Sequence, residues 1–291
     1  MKNVFVIGGA ALDISGIPSD VCRLRNSNEG RIRVVIGGSA HNISKHLVQM
    51  GIPAKLVTVI GTDPRGQVIE ADCIMRSIDL TYSLHSESPS ATYIRIYDED
   101  YDLLTGINEM HILDELTPAY FEGIMDTVNK GAFCMLDSNL TPEALDYLTH
   151  NLTVPFMYEP VSVTKAKRIG DNIGLCHMVK ANRFEAAQLS GCSCDTVRGV
   201  YRAADWFLNK GVKQIFITLG GDGILFGSSE EIGLVEGEPV DIVTSAGAGD
   251  CVSAAIINAT LRGKSIREAA ENGNRAGAEY CIRWHDMENC F

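Results

Sequence analysis

Thr244-Ser245-Ala246-Gly247-Ala248-Gly249-Asp250 runs directly into Cys251-Val252-Ser253-Ala254-Ala255-Ile256-Ile257. Small residues lead here into a long apolar helix. Glycine lets the backbone approach a ligand closely, and the first turn of a helix leaves orphan N–H donors. With the helix dipole, those donors form a site for phosphate or for charge that develops as phosphate is transferred. Asp250 stands at the mouth of that site. A carboxylate there makes chemical sense as the acceptor of a hydroxyl proton, a role worth roughly 10²–10⁴-fold in rate. Asp is also favoured as a helix cap, so this segment alone leaves both readings open.

Upstream, short apolar runs alternate with helical patterns, the mark of a mainly parallel sheet with helices on both faces. Strands are expected at 4–7, 55–60, 133–137, 154–158, 178–180 and 214–218. Helices are expected near 39–50, 66–75, 118–128, 142–151, 162–169, 183–189, 196–210, 248–261 and 266–280. Pro64, Pro118 and Pro142 suit helix first turns, where a missing N–H costs little. Two stretches, 14–36 and 80–104, lack helical period and alternate polar with apolar, as in Thr92-Tyr93-Ile94-Arg95-Ile96-Tyr97. They read as strands of a half-exposed sheet that could lie over the carboxyl ends of the core strands as a lid. No repeat or linker divides the chain, so 1–291 is expected to form one domain with a discontinuous β lid.

Composition narrows the functions. The 291 residues carry a formal charge of −12 and no basic run, which argues against a nucleic-acid binder. Anionic small ligands remain open, because backbone N–H groups can hold them. No apolar run approaches the ~20 residues that span a bilayer. Nine cysteines without an N-terminal signal pattern read as reduced cytoplasmic thiols, and Cys192-Ser193-Cys194 lacks the second pair of a zinc site. No Walker-type phosphate loop occurs, and Gly8-Gly9-Ala10-Ala11 is a poor dinucleotide fingerprint.

Further groups could face a ligand. Gly37-Gly38-Ser39-Ala40-His41-Asn42 precedes a helix, and Asn42 offers both donor and acceptor to hydroxyls. Asp13 follows the first strand, where ligands gather in open α/β sheets, and a carboxylate can accept from adjacent sugar hydroxyls. Lys180-Ala181-Asn182-Arg183-Phe184-Glu185 opens another helix. Thr218-Leu219-Gly220-Gly221-Asp222-Gly223 follows a strand. Each has a plainer reading: a turn at Gly37–Gly38, a cap at Asp13, a capping box at Asn182/Glu185, a hairpin at Asp222-Gly223.

Taken in order, these elements resemble the PfkB kinases of the ribokinase-like superfamily, whose C-terminal signature is usually written D-T-x-G-A-G-D. The resemblance runs from residue 4 to about 280. It implies a three-layer α/β/α core with a small β-sheet lid. It makes Asp250 the catalytic base and Gly247, Ala248 and Gly249 the anion hole, with ATP as phosphoryl donor and Mg²⁺ bridging its phosphates. Asp13, Gly37, Gly38 and Asn42 correspond to sugar-binding positions. Asn182 and Glu185 fall near the metal–phosphate region, with Glu185 as the metal-side acid. Thr218, Gly220 and Gly223 match the loop beside the ATP phosphates, and Asn274 falls where the adenine pocket is lined. Asp137 and Asn139 are expected to face the same cleft.

Thr244 stands where the family usually has Asp and Ser245 where it has Thr, which puts a monovalent cation such as K⁺ in question. Within the family, Ser27-Asn28-Glu29-Gly30 and Gly37-Gly38-Ser39-Ala40-His41-Asn42-Ile43 are similar to the pseudouridine kinases. Glu29 and His41 depart from the S-N-P-G and G-G-V-A-R-N-I usual there. The acceptor implied is the 5′-hydroxyl of a nucleoside, with Ser15, Ser27 and Thr92 of the lid at its base. Ribokinase, adenosine kinase and other sugar kinases share the scaffold. A nucleoside- or nucleotide-binding sensor without turnover is the reading from a different class. The lid also implies a possible homodimer, since an exposed sheet invites pairing.

Overall fold

The structure is a computed structural model that describes residues 3–240 and 247–287. In chain order it runs β1 (Val4–Ile7), β2 (Ala11–Pro18), β3 (Gly30–Gly37), α1 (Ser39–Gln49), β4 (Ala54–Val57), β5 (Val59–Gly61) and α2 (Pro64–Met75). There follow β6 (Leu84–Ser86), β7 (Thr92–Tyr97), β8 (Leu103–Glu109), α3 (Pro118–Val128), β9 (Phe133–Asp137), α4 (Pro142–Asn151) and β10 (Phe156–Glu159). The last elements are β11 (Met178–Asn182), α5 (Arg183–Ser190), α6 (Val197–Lys210), β12 (Gln214–Thr218), β13 (Ile224–Ser228), β14 (Ile232–Val235), α7 (Ala248–Leu261) and α8 (Ile266–Met287).

The main sheet has the order β14-β13-β12-β11-β10-β9-β1-β4. Its pairings are parallel from β4 to β12 and antiparallel at β13 and β14. The period-2 alternation of β1 shows why both faces are covered. Val4 and Val6 pack with Ile43 and Leu47 of α1 and Ile256 of α7, while Phe5 and Ile7 pack with Phe121 of α3, Leu145 of α4 and Phe207 of α6. All of these are buried. Pro64, Pro118 and Pro142 each open a helix, behind side-chain caps from Asp63, Thr117 and Thr141.

A second sheet, ordered β3-β2-β7-β8, stands at the carboxyl end of β1, to which β2 is joined by Gly8-Gly9-Ala10. The expected ribokinase-like core and β layer are both present. The layer is made of 11–18, 30–37, 92–97 and 103–109 rather than 14–36 and 80–104.

Three local expectations change. The strand expected at 55–60 divides at Thr58: β4 joins the main sheet, and β5 leaves it to pair with β6. The helix expected at 162–169 is instead 3₁₀ turn from Ala166 to Leu175, kinked at Gly170, where φ is 57°. The hairpin reading at Asp222-Gly223 matches the antiparallel pairing of β12 with β13, and β14 adds a further antiparallel edge strand that was not expected.

Candidate active site

α7 begins at Gly247, whose φ of 87° lies in the left-handed region that favours glycine. A Cβ there would also stand 2.7 Å from the Tyr280 hydroxyl oxygen. The Asp250 amide already bonds the Gly247 carbonyl (3.2 Å), and the first-turn amides of Ala248 and Gly249 have no partner among the described residues.

Both oxygens of the half-buried Asp250 carboxylate are held from α1. Ser39 Oγ donates to Oδ1 (2.7 Å) and Asn42 Nδ2 donates to Oδ2 (2.9 Å). Burial raises the Asp250 pKa against the opposing pull of Ser39, Lys180, Asn42 and Lys45. The result is a more basic carboxylate than one in water, at the first turn of α7.

Behind it lies a buried charge cluster. Lys180 Nζ donates to Glu159 Oε1 (3.0 Å), and Ser253 Oγ donates to Glu159 Oε2 (2.6 Å). A Cβ on Gly249 would stand 2.9 Å from Lys180 Nζ, so this cation sits directly beneath the first turn of α7. Burial pulls the Lys180 pKa down, but Glu159, Glu185 and Asp250 together outweigh it, and the pKa is raised. Glu159 is raised as well, by burial first and then by Glu185 and Asp250. Lys180 is therefore held in its charged form by the acidic groups around it.

A single cleft of about 2400 Å³ brings most of the expected residues together: Asp13, Gly37, Gly38, Asn42, Asn139, Asn182, Glu185, Thr218, Gly220, Gly223, Asn274 and Gly247 to Asp250. Asp13 accepts from Arg95 Nη2 (2.9 Å) and is raised to about 6, chiefly by burial, with Arg95 opposing and Asp250 adding. Asn274 donates to the Glu236 carbonyl (3.1 Å). Asn182 and Glu185 do form the capping box: Asn182 Oδ1 accepts from the Phe184 and Glu185 amides, and Glu185 Oε2 accepts from the Asn182 amide. Asp137 lies beneath the cleft instead of lining it, accepting from the amides of Gly9 (2.9 Å) and Asn139 (2.8 Å).

Ser27 and Thr92 are not brought to the cleft. Ser27 lies exposed in the turn between β2 and β3. Thr92 points to the other side of its sheet, accepting from Arg65 Nη1 (2.9 Å) and donating to the Ser90 carbonyl (3.0 Å). Register explains this. Asp13 pairs with Val35 and Tyr93, and Ser15 with Arg33 and Arg95, so these share a face, whereas Thr92 sits one residue out of phase. Ser15 has the right face but is not among the lining residues. Thr244 and Ser245 lie outside the described residues.

Sequence reasoning missed Ser39, Lys180, Glu159 and Lys45 as participants. Lys180 had a usable signal, a charged residue inside the otherwise apolar strand Met178–Asn182.

Among the described residues, no cluster of three or more acidic, His or Cys side chains could hold a metal by itself. Mg²⁺ does not require one, since it keeps its waters and takes substrate phosphates with one or two carboxylates. Glu185 fits that pattern: it lines the cleft, and its second oxygen has no hydrogen-bond partner among the described residues.

The family model described as pfkB family carbohydrate kinase matches residues 1–283. A pseudouridine kinase of Escherichia coli (strain K12) is 28% identical over 270 residues, which cover 91% of this chain and 86% of that protein. The crystal structure of a putative sugar kinase from Clostridium perfringens superposes with a TM-score of 0.84 and 25% identity, covering 97% of this chain and 90% of that one. A putative ribokinase II of Escherichia coli, solved in complex with ATP and Mg²⁺, superposes with a TM-score of 0.79 and 18% identity, covering 96% of this chain and 92% of its own.

Proposed function

The chain belongs to the pfkB family of carbohydrate kinases, ATP-dependent phosphotransferases that act on a hydroxyl, and we propose that its acceptor is the 5′-hydroxyl of pseudouridine. The observation that carries the kinase reading is the placing of the Asp250 carboxylate beside the first-turn amides of Ala248 and Gly249, which have no partner among the described residues, at one helix start. Similarity to a pseudouridine kinase over 91% of the chain supports the choice of nucleoside. So does the cleft-facing side of the lid: Tyr93, Arg95 and Asn108 offer a ring and several polar groups to a base rich in N–H and C=O.

In this reading Asp13 and Asn42 hold the ribose, and Asp250 orients the attacking hydroxyl and takes its proton. The amides of Ala248 and Gly249, backed by Lys180, stabilise charge on the transferring phosphoryl group. Thr218, Gly220, Gly223, Asn182 and Asn274 line the nucleotide side. Glu185 is the residue placed to hold Mg²⁺, which when bound neutralises phosphate charge. The chain works as one kinase unit, with the β layer closing over substrate to exclude water. Reduced thiols and ATP point to the cytoplasm; no helix among the described residues is long and apolar enough to cross a membrane.

A coupled ATP-consumption assay with mass spectrometry tests the acceptor over pseudouridine, uridine, adenosine, cytidine, ribose and fructose. Selective formation of pseudouridine monophosphate is expected. Another phosphorylated product would keep the kinase and discard this acceptor, and neither ADP nor a phosphorylated product from any of them would favour a sensor.

Asp13 makes acceptor binding pH-dependent. Its pKa in the fold is about 6, above the ordinary 3.8, so between these values the folded protein holds a proton that the unfolded chain releases. Folding is therefore favoured on the acid side of that window and loses this contribution as pH rises through about 6. Only the ionised form accepts from two sugar hydroxyls. Acceptor affinity measured by calorimetry should therefore fall below pH ~6, by up to tenfold per unit for a single proton. The Asp13→Asn variant should bind more weakly and lose that pH dependence; an unchanged slope assigns it to another group.

The opposite face of the lid supports a homodimer. Ile94, Ile96 and Ile107 share it by register and are 39, 38 and 69% exposed. A contiguous apolar face of this kind is a self-association surface. Sedimentation of Ile107→Glu should give a monomer where the parent protein gives a dimer; a monomeric parent removes the idea.

A further inference from the structure

The α1 contacts to the base are unequal in a way the hydrogen-bond chemistry makes informative. An ionised carboxylate only accepts hydrogen bonds, and both of its partners here are donors: Ser39 Oγ–H on Oδ1 and Asn42 Nδ2–H on Oδ2. When a proton arrives, the oxygen that takes it becomes a donor and a weaker acceptor, and the hydrogen bond to its partner stays strong only if that partner can accept. A serine hydroxyl does this by rotating one O–H bond. The Asn42 amide would have to turn over its whole terminal group, abandoning the bond on Oδ2.

We infer that Ser39 is a positioning residue for the base and that the acceptor's proton comes to rest on Oδ1 of Asp250. The inference rests on the kinase reading above and deepens it. In the step it describes, the acceptor oxygen forms a bond to the γ-phosphorus. The bond from that phosphorus to the bridging oxygen breaks, and its electron pair leaves with ADP. The acceptor's O–H proton passes to Oδ1, and the Ser39 hydroxyl turns to receive a hydrogen bond from it. Asn42 keeps Oδ2 in place throughout, so the carboxylate does not swing as it changes charge.

Surrounding charge does not do this work. Lys45 faces Asp250 from α1 and Lys180 from β11; Asp13 on β2 and Glu159 on β10 face it with like charge, and Glu185 on α5 stands behind Lys180. Cys251, next in α7, is neutral, its thiol pushed up to about 11 by burial. None of these accepts a proton from Oδ1 in the structure. Ser39 is buried, at 8% exposure, and Ala in the first turn of a helix is well tolerated, so its removal leaves the fold and these charges in place.

The test compares Ser39→Ala, Ser39→Thr and Asp250→Asn, using Mg-ATP and the acceptor that the panel identifies. Ser39→Ala should lower kcat roughly 10- to 100-fold, the range for one hydrogen bond to a charged group, with KM for acceptor and ATP little changed. Losing a donor to the ionised form raises the Asp250 pKa, so the acidic limb of the kcat profile should move to higher pH. Ser39→Thr keeps the hydroxyl and should restore both. Wild-type kcat and an unmoved limb in Ser39→Ala, or a loss that Thr fails to restore, overturns the role of Ser39. If Asp250→Asn itself turns over normally, the general-base reading fails instead, so the two failures are distinguishable.

Discussion

Asp250→Asn is expected to bind ATP and nucleoside but to lose at least ~10²-fold in kcat. The substitution is nearly isosteric, and the site can accommodate an amide. Its oxygen can face Asn42 Nδ2 while its NH₂ faces the Ser39 hydroxyl, which can accept as well as donate. The ligand contacts offered by Asp13, Asn42 and the first-turn amides of α7 are untouched. Only the capacity to take a proton is removed. Initial rates under saturating substrates, alongside calorimetric affinities, check both halves. Near-normal turnover would take the base away from Asp250; loss of binding would make it a ligand-holding residue instead.

The second large effect is on the fold. Lys180→Met removes the cation from among Glu159, Glu185 and Asp250 and leaves Glu159 buried at 3% exposure with its Lys180 bond gone. Breaking a buried pair in this way costs about 3–5 kcal/mol of unfolding free energy. In a chain of 291 residues that is a melting temperature lower by roughly 5–8 °C. The deficit should be larger at pH 8, where the carboxylates are ionised, than at pH 5, where they can hold protons. Adding Glu159→Gln to Lys180→Met should recover part of it. Thermal denaturation of both variants at the two pH values is the measurement, and a Lys180→Met protein that melts with the parent at pH 8 would show that the cluster is not stabilising.

What could be read in advance and what could not follows from the range of the interactions. Local signals were sufficient for the helix starts at Pro64, Pro118 and Pro142, each set by a cap and a ring within four residues. The start of α7 was also legible, because glycine, small residues and Asp250 sit within one turn. Pairing across the chain was not. Ser39 and Asp250 are 211 positions apart, and nothing in Gly37-Gly38-Ser39 announces which carboxylate the hydroxyl will meet. Thr92 failed because a strand's face depends on its register against a neighbour, and β2 lies some eighty residues away. The division of 55–60 at Thr58 depended on β6, a partner too short to carry a signal of its own. Asp13 was legible as a cleft residue because strand ends in open sheets face the crevice whatever the rest of the chain does.

The passage from β3 into α1 has no loop: Gly37 ends a strand of the β layer, Gly38 turns, and Ser39 already touches the Asp250 carboxylate. In the proposed kinase, the part that chooses the acceptor and the part that performs the transfer are therefore one piece of backbone. Grafting a lid from a kinase of different preference would carry its own seating of the carboxylate along with its pocket. Redesign aimed only at specificity would have to begin beyond this junction, among Tyr93, Arg95 and Asn108, where a side chain can change without moving the helix whose Ser39 and Asn42 hold the Asp250 carboxylate.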